Sequence, residues 1–198
     1  MSGISAETSV PVFPLTDFVL FPRVQAPLHI FEPRYKEMID DVIDHTGRFC
    51  MATLRGDSTD ETHPEFYEVG CLCELSDYSR LDDGRYNVVV RGLSRVAMSE
   101  VASDRQYRCV STKPAKVTGL SQVSAEHKHV LRILSECLIS GPLEPFPLAK
   151  SYLKDLDLES LLDLMAFYAN LPVEERQKLL ETTAMDVLAA RLVDVYEE

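Results

Sequence analysis

Cys71 and Cys73 stand two apart, and on a strand they would point to one face and offer two thiolates to a metal. A structural zinc needs about four ligands and usually a C-x₂₋₄-C spacing, and neither is present. No second cysteine pair exists, and His63 stands in an acidic stretch without a companion, so these cysteines are expected to be buried as small apolar groups. His127 and His129 would sit roughly 200° apart around a helix and cannot chelate one ion together. No metal and no cofactor are expected. The chain has no G-x-x-x-x-G-K-[ST] and no G-x-G-x-x-G, and its 8 glycines leave few places for backbone amides to cradle a phosphate. A G-x-S-x-G elbow, an H-E-x-x-H and a known cysteine-nucleophile signature are also missing, so no catalytic residue is expected and the chain reads as a non-enzyme.

The densest stretch runs Pro11-Val12-Phe13-Pro14-Leu15-Thr16-Asp17-Phe18-Val19-Leu20-Phe21-Pro22, followed by Pro27-Leu28-His29-Ile30-Phe31-Glu32-Pro33-Arg34-Tyr35. Its aromatic and proline content suits a peptide-binding surface. The preferred expectation is that these residues form a first strand, a tight turn and a core wall. Glu32 and Arg34 are expected to pair or cap locally.

Elements that could position these residues follow from periodicity. Between Val10 and about Lys116, short apolar runs are broken by turn residues, the pattern of a β-rich lobe. Phe49–Leu54, Glu68–Leu75, Arg85–Arg91 and Tyr107–Val117 are expected strands, with Asp82-Asp83-Gly84 as a hairpin turn, giving an antiparallel barrel or a curled sheet. In Arg85–Arg91, Tyr86, Val88 and Val90 would share the buried face. One helix is embedded at Pro33–His45, where Tyr35, Met38, Ile39, Val42 and Ile43 form a stripe. Pro33 suits its first turn and Gly47 its close. Gly56–Pro64 is polar and aperiodic and is expected to be an exposed, mobile loop.

After Gly119 the pattern turns helical. Val130, Leu131, Leu134, Cys137 and Leu138 make one stripe; Leu158, Leu161, Leu162, Met165 and Tyr168 a second; Met185, Leu188, Ala189, Leu192 and Val193 a third. A short helix is expected at Pro172–Glu181. The organisation is therefore α+β, with a β lobe over 10–118 and a helical lobe over 119–198.

Acidic residues outnumber basic ones by 32 to 20, a net charge of −12 that repels phosphate backbones and anionic lipid, so neither nucleic acid nor membrane is an expected partner. Apolar windows such as Val10–Leu20 and Leu156–Leu171 are interrupted well before the roughly 20 residues of a bilayer span. Met1–Val10 shows no secretory pattern, and five cysteines cannot all pair with one another, so a reducing, cytoplasmic setting is expected.

The chain resembles the N-terminal substrate-recognition domain of Lon proteases. The resemblance rests on Phe13-Pro14-Leu15, Leu20-Phe21-Pro22, the Pro27 to Tyr35 segment, Val69-Gly70-Cys71, Asp83-Gly84-Arg85 and Arg91-Gly92-Leu93-Ser94-Arg95. It continues through Leu171-Pro172-Val173-Glu174-Glu175-Arg176-Gln177-Lys178-Leu179-Leu180-Glu181 and Arg191-Leu192, so it spans nearly the whole chain. Two positions depart from the pattern: Arg23 stands where the family commonly has Gly, and Val96 follows Arg95 where the family often has Phe. The resemblance implies a PUA-like β-barrel followed by a helical bundle, engaging polypeptide substrates or a partner protein. The family's ATPase module and Ser–Lys peptidase domain have no counterpart in these 198 residues, which suggests a stand-alone member.

A module of this kind recognises unfolded or hydrophobic polypeptide segments by exposing apolar groups on rigid loops. Phe18 and Phe21 in a proline-bounded turn, and Leu143, Phe146 and Leu148 in the proline-rich Gly141–Leu148, are the expected contacts. The alternative is a small-ligand or enzymatic role in a cleft between barrel and helices, where Tyr35, Arg85 and Arg95 could converge on an anion.

Overall fold

The computed structural model describes residues 9–60, 62–140 and 156–197. The chain divides into two compact units, Met1–Ala115 and Lys116–Glu198. The first holds β1 (Val10–Leu15), β2 (Gln25–Ile30), α1 (Pro33–Asp44), β3 (Arg48–Thr53), β4 (Val69–Arg80), β5 (Tyr86–Val101) and β6 (Cys109–Pro114). Its strands lie in the order β2-β5-β4-β3-β1-β6, and β6 pairs again with β5. The pairings β5–β4–β3–β1–β6–β5 thus form a closed circuit, with β2 added along the first half of β5.

Closure depends on the length of β5. Tyr86–Arg91 pairs with β2 and Val96–Val101 with β6, so one strand serves two neighbours in succession on the edge away from β4. The expectation of a strand ending at Arg91 is corrected here. Gly92 does not break the strand; it leaves room for the chain that crosses it. β4 likewise runs to Arg80 rather than Leu75, with register shifts at Leu72/Cys73 and Leu75/Asp77 that let it bend around the core. Inside lie Val12, Cys50, Ala52, Val96, Met98 and Val110. Tyr86, Val88 and Val90 are buried on one face of β5, while Asn87 on the other face is exposed, as alternation requires.

α1 buries Tyr35, Met38, Ile39 and Val42. Pro33 occupies its first turn, and Gly47, at φ 68°, closes it by donating its N–H to the Val42 carbonyl at 2.9 Å. Glu32 supplies only its backbone carbonyl to the first turn, accepting from Tyr35 N and Lys36 N. Its side chain makes no cap and instead accepts from Arg34 Nε at 3.0 Å. Two phenols hold the middle of α1: Tyr86 donates to Asp40 at 2.5 Å and Tyr107 to Asp41 at 2.7 Å.

The second unit holds α2 (Ala125–Ser140), α3 (Leu158–Tyr168), α4 (Val173–Glu181) and α5 (Met185–Glu197) after a short 3₁₀ turn at Leu120–Gln122. Asp157 caps α3 by accepting from Ser160 N at 2.7 Å. Residues Ser160 to Ala166 are buried on every side of α3, which packs against α2, α4 and α5. Leu161, Leu162, Met165, Leu188, Ala189 and Leu192 are fully enclosed, and Tyr196 donates to the Met165 carbonyl at 2.7 Å. Among the described residues no helix is long and apolar enough to cross a membrane.

Candidate functional site

The proline-bounded turn before β2 is built from Phe21-Pro22-Arg23-Val24. Val24 N donates to the Phe21 carbonyl at 3.4 Å, with proline second and a positive φ of 64° at Arg23 in third place, the pattern of a type II turn. Arg23 N then donates to Gly92 O at 2.8 Å and Gly92 N to Val24 O at 2.9 Å, so Arg23 and Val24 together oppose Gly92 as a bulge whose first position is left-handed. Glycine is the usual residue there, and Arg23 takes its place.

This turn sends Phe21 inward, and the Phe21 side chain is fully buried. The surface expectation for Phe21 is therefore corrected: proline framing marked a turn, but one seated on β5. Phe18 is half-buried, and its carbonyl accepts from Thr53 Oγ1 at 3.2 Å. Leu143, Phe146 and Leu148 lie outside the described residues.

The three residues expected around an anion occupy unlike environments. Tyr35 is buried, edge-on to Phe13 with ring centroids 4.4 Å apart and covered by the Arg34 guanidinium at 4.5 Å; burial pushes its phenol up. Arg95 is buried too, its guanidinium 5.9 Å from the centre of the Phe21 ring. Arg85 is exposed and already bound, donating from Nε to Asp83 at 2.6 Å and from Nη1 to His29 Nε2 at 3.1 Å. Two enclosed side chains and one occupied surface arginine do not make an open anion site.

Cys71 and Cys73 are fully buried, as is Cys50. Burial pushes the Cys50 thiol up to about 12, and burial, reinforced by Cys71 and Cys50, pushes Cys73 well above its ordinary value. These thiols are poor nucleophiles and poor metal ligands.

Large apolar side chains stand exposed at Phe31, within the aromatic and proline-rich stretch, and at Tyr78, Ile133 and Val187. Phe31 is 60% exposed, Val187 53%, Ile133 50% and Tyr78 49%. Phe31 stacks on the His29 ring at 6.2 Å, and Arg85 can only donate to His29 Nε2, which puts the ring proton on Nδ1 facing Asn87 Oδ1 at 2.7 Å. The alternation of Gln25, Pro27 and His29 outward against Ala26 and Ile30 inward was the available signal for an outward Phe31.

A cleft of about 490 Å³ opens where β5 passes to β6, lined by His63, Glu100, Arg105 and Arg108 among others. Arg108 grips Glu100 through Nε at 2.7 Å and Nη2 at 2.5 Å, donates to the Pro64 carbonyl at 2.7 Å and covers the Phe66 ring at 4.4 Å. His63 Nε2 reaches Glu100 at 3.1 Å, tying the acidic loop to β5. The same loop turns on Asp60, whose carboxylate accepts from Thr62 N and His63 N. Arg108 first, and then His63, hold the Glu100 carboxyl below its ordinary value.

Residues 9–197 match the ATP-dependent protease La (LON) substrate-binding domain, and the chain belongs to that family. It is 26% identical over 179 residues to the Lon protease of Citrifermentans bemidjiense, covering 87% of this chain and 22% of the relative. It is 24% identical over 193 residues to Lon protease 1 of Bdellovibrio bacteriovorus, covering 96% and 24%. The chain thus spans about a quarter of the length of these curated relatives. In fold it is similar to the N-terminal domain of the Mycobacterium avium complex Lon protease (TM-score 0.72, 19% identity, 96% of this chain and 99% of that one). The Lon N-terminal domain protein of Xanthomonas campestris is similar too, with a TM-score of 0.71, 19% identity, and 94% and 98% coverage.

Proposed function

We propose that this chain is a non-catalytic polypeptide-recognition module that holds unfolded or hydrophobic segments, or a partner protein, in the service of ATP-dependent proteolysis. The match of residues 9–197 to a substrate-binding domain carries this reading. The closed strand circuit supports a PUA-like barrel for the first unit and the packed α2–α5 a helical bundle for the second. Phe31 and Phe18 would supply apolar contact from the first unit, since aromatic side chains offer large contact area for little entropy. The enclosed thiols accord with a reducing, cytoplasmic setting.

The reading is tested by measuring binding of the purified 198-residue chain to one model protein in its folded and its permanently unfolded form. Preference for the unfolded form is expected. Equal or absent binding would remove the reading.

A further inference from the structure

The cleft where β5 passes to β6 brings an exposed guanidinium, that of Arg105, to its lining. On a chain of net charge −12, its lining carries Arg105 and Arg108 with Glu100, and Asp41 and Glu37 stand beside Arg105. Arg108 is committed to Glu100 and Pro64, whereas Arg105 is half-exposed and, among the described residues, its side chain pairs with Asp41 at 3.3 Å and Glu37 at 4.0 Å. A guanidinium carries five N–H donors and both of these pairs use Nη1, so the Nε and Nη2 donors of Arg105, a residue of the cleft lining, are left for a further acceptor. Asp41 is also held by the Tyr107 phenol, which fixes it behind Arg105. Gln106 adds an amide at the rim, and Val101 and Ala102 add aliphatic wall.

We propose that this cleft takes a carboxylate of a bound polypeptide, either its C-terminus or an acidic side chain, on the open side of the Arg105 guanidinium. This rests on the polypeptide-recognition reading and names the chemistry one of its contacts selects. A carboxylate fits better than a phosphate. Glu100, Asp41 and Glu37 stand close enough to repel a second negative charge, while a planar single anion matches the guanidinium fork. The volume lies within the roughly 300–1,000 Å³ of ordinary ligand clefts.

The test uses the full chain and three labelled peptides of leucine, serine and glycine, followed by fluorescence anisotropy. One ends in a free carboxylate, one in an amide, and one in an amide with a single internal glutamate. The free acid or the glutamate peptide should bind roughly three- to tenfold more tightly than the plain amide, with the advantage shrinking as salt rises. Which of the two gains identifies the source of the carboxylate. Arg105→Gln should abolish the advantage without weakening the plain amide, and Arg105→Lys, which keeps the charge and loses the fork, should retain only part of it. Equal affinity of all three peptides, or an advantage that survives Arg105→Gln in a variant with an unchanged melting curve, overturns the proposal and leaves polypeptide recognition standing. If neither the peptides nor an unfolded protein bind, both fall.

Discussion

The carbonyl oxygen of Phe21 lies 2.1 Å from where a Cβ on Gly92 would stand. Two backbones meet there with no side chain between them, fastened by Arg23 N to Gly92 O and Gly92 N to Val24 O. The contact seats the turn on β5 at the junction between its β2-paired and β6-paired halves.

Gly92→Ala should therefore be strongly destabilising. The neighbour in the way is main chain, which cannot rotate aside, and moving it would disturb both β2 and the buried Phe21. A loss of about 3 kcal/mol or more is expected, as for overpacking at a buried site. Urea denaturation would show a lower midpoint. A midpoint equal to that of the parent chain would mean the contact relaxes freely.

Arg23→Gly should act in the opposite direction. A left-handed backbone costs an L-residue about 1–2 kcal/mol, while glycine returns roughly 0.5–1 kcal/mol of that as lost unfolded-state entropy. A net gain of about 0.5–1 kcal/mol is expected, read as a higher denaturation midpoint. No gain would show that contacts of the Arg23 side chain offset the strain.

These two residues also show what could be read before the structure. Helix α1 was legible because Pro33, the Tyr35–Met38–Ile39–Val42 stripe and Gly47 are local signals. The glycine common in the family at the position of Arg23 was the local signal for the left-handed turn that Arg23 occupies here. The extent of β5 was not legible, because Gly92 reads as a breaker until the Phe21 carbonyl is known to need its space. Phe21 and Arg95 were misplaced for the same reason: each is enclosed by segments distant in sequence, and no window of neighbours carries that information. Strand β2 was not legible, because Pro27 argues against a strand in isolation and is tolerated where β2 pairs on one side with β5.

Tyr86 and Tyr107 should make the first unit sensitive to alkali. Burial first, and then the hydrogen bonds to Asp40 and Asp41, push both phenols above the ordinary value of 10.0. The folded state therefore holds these protons more tightly than the unfolded chain. Their contribution is complete below pH 10 and is lost as pH rises through the folded-state values. Tyr107→Phe should cost about 1 kcal/mol at neutral pH and flatten this alkaline decline. Denaturation midpoints across alkaline pH, compared with an absorbance titration of the phenols, would check both. A decline just as steep in Tyr107→Phe would show that this phenol does not contribute to it.

The last expectation separates two phenylalanines that lie ten residues apart and differ entirely in surroundings. Phe21 is fully buried, whereas Phe31 is 60% exposed on the solvent side beyond β2, stacked on His29. Phe21→Ala should cost about 3–5 kcal/mol, because the removed ring leaves a cavity in a closed core. Phe31→Ser should change stability by no more than about 0.5 kcal/mol, because nothing encloses the ring. If Phe31 contacts unfolded clients, the same substitution should weaken their binding by roughly five- to tenfold, the loss of more than 1 kcal/mol found for aromatic anchors. Melting curves and client affinities measured on both variants divide the outcomes. A stable Phe31→Ser chain with undiminished affinity would shift the contact surface to Phe18 or to the second unit, where Ile133 and Val187 are exposed. An unstable one would mean that the ring supports the fold through His29 and its partners Asn87 and Arg85.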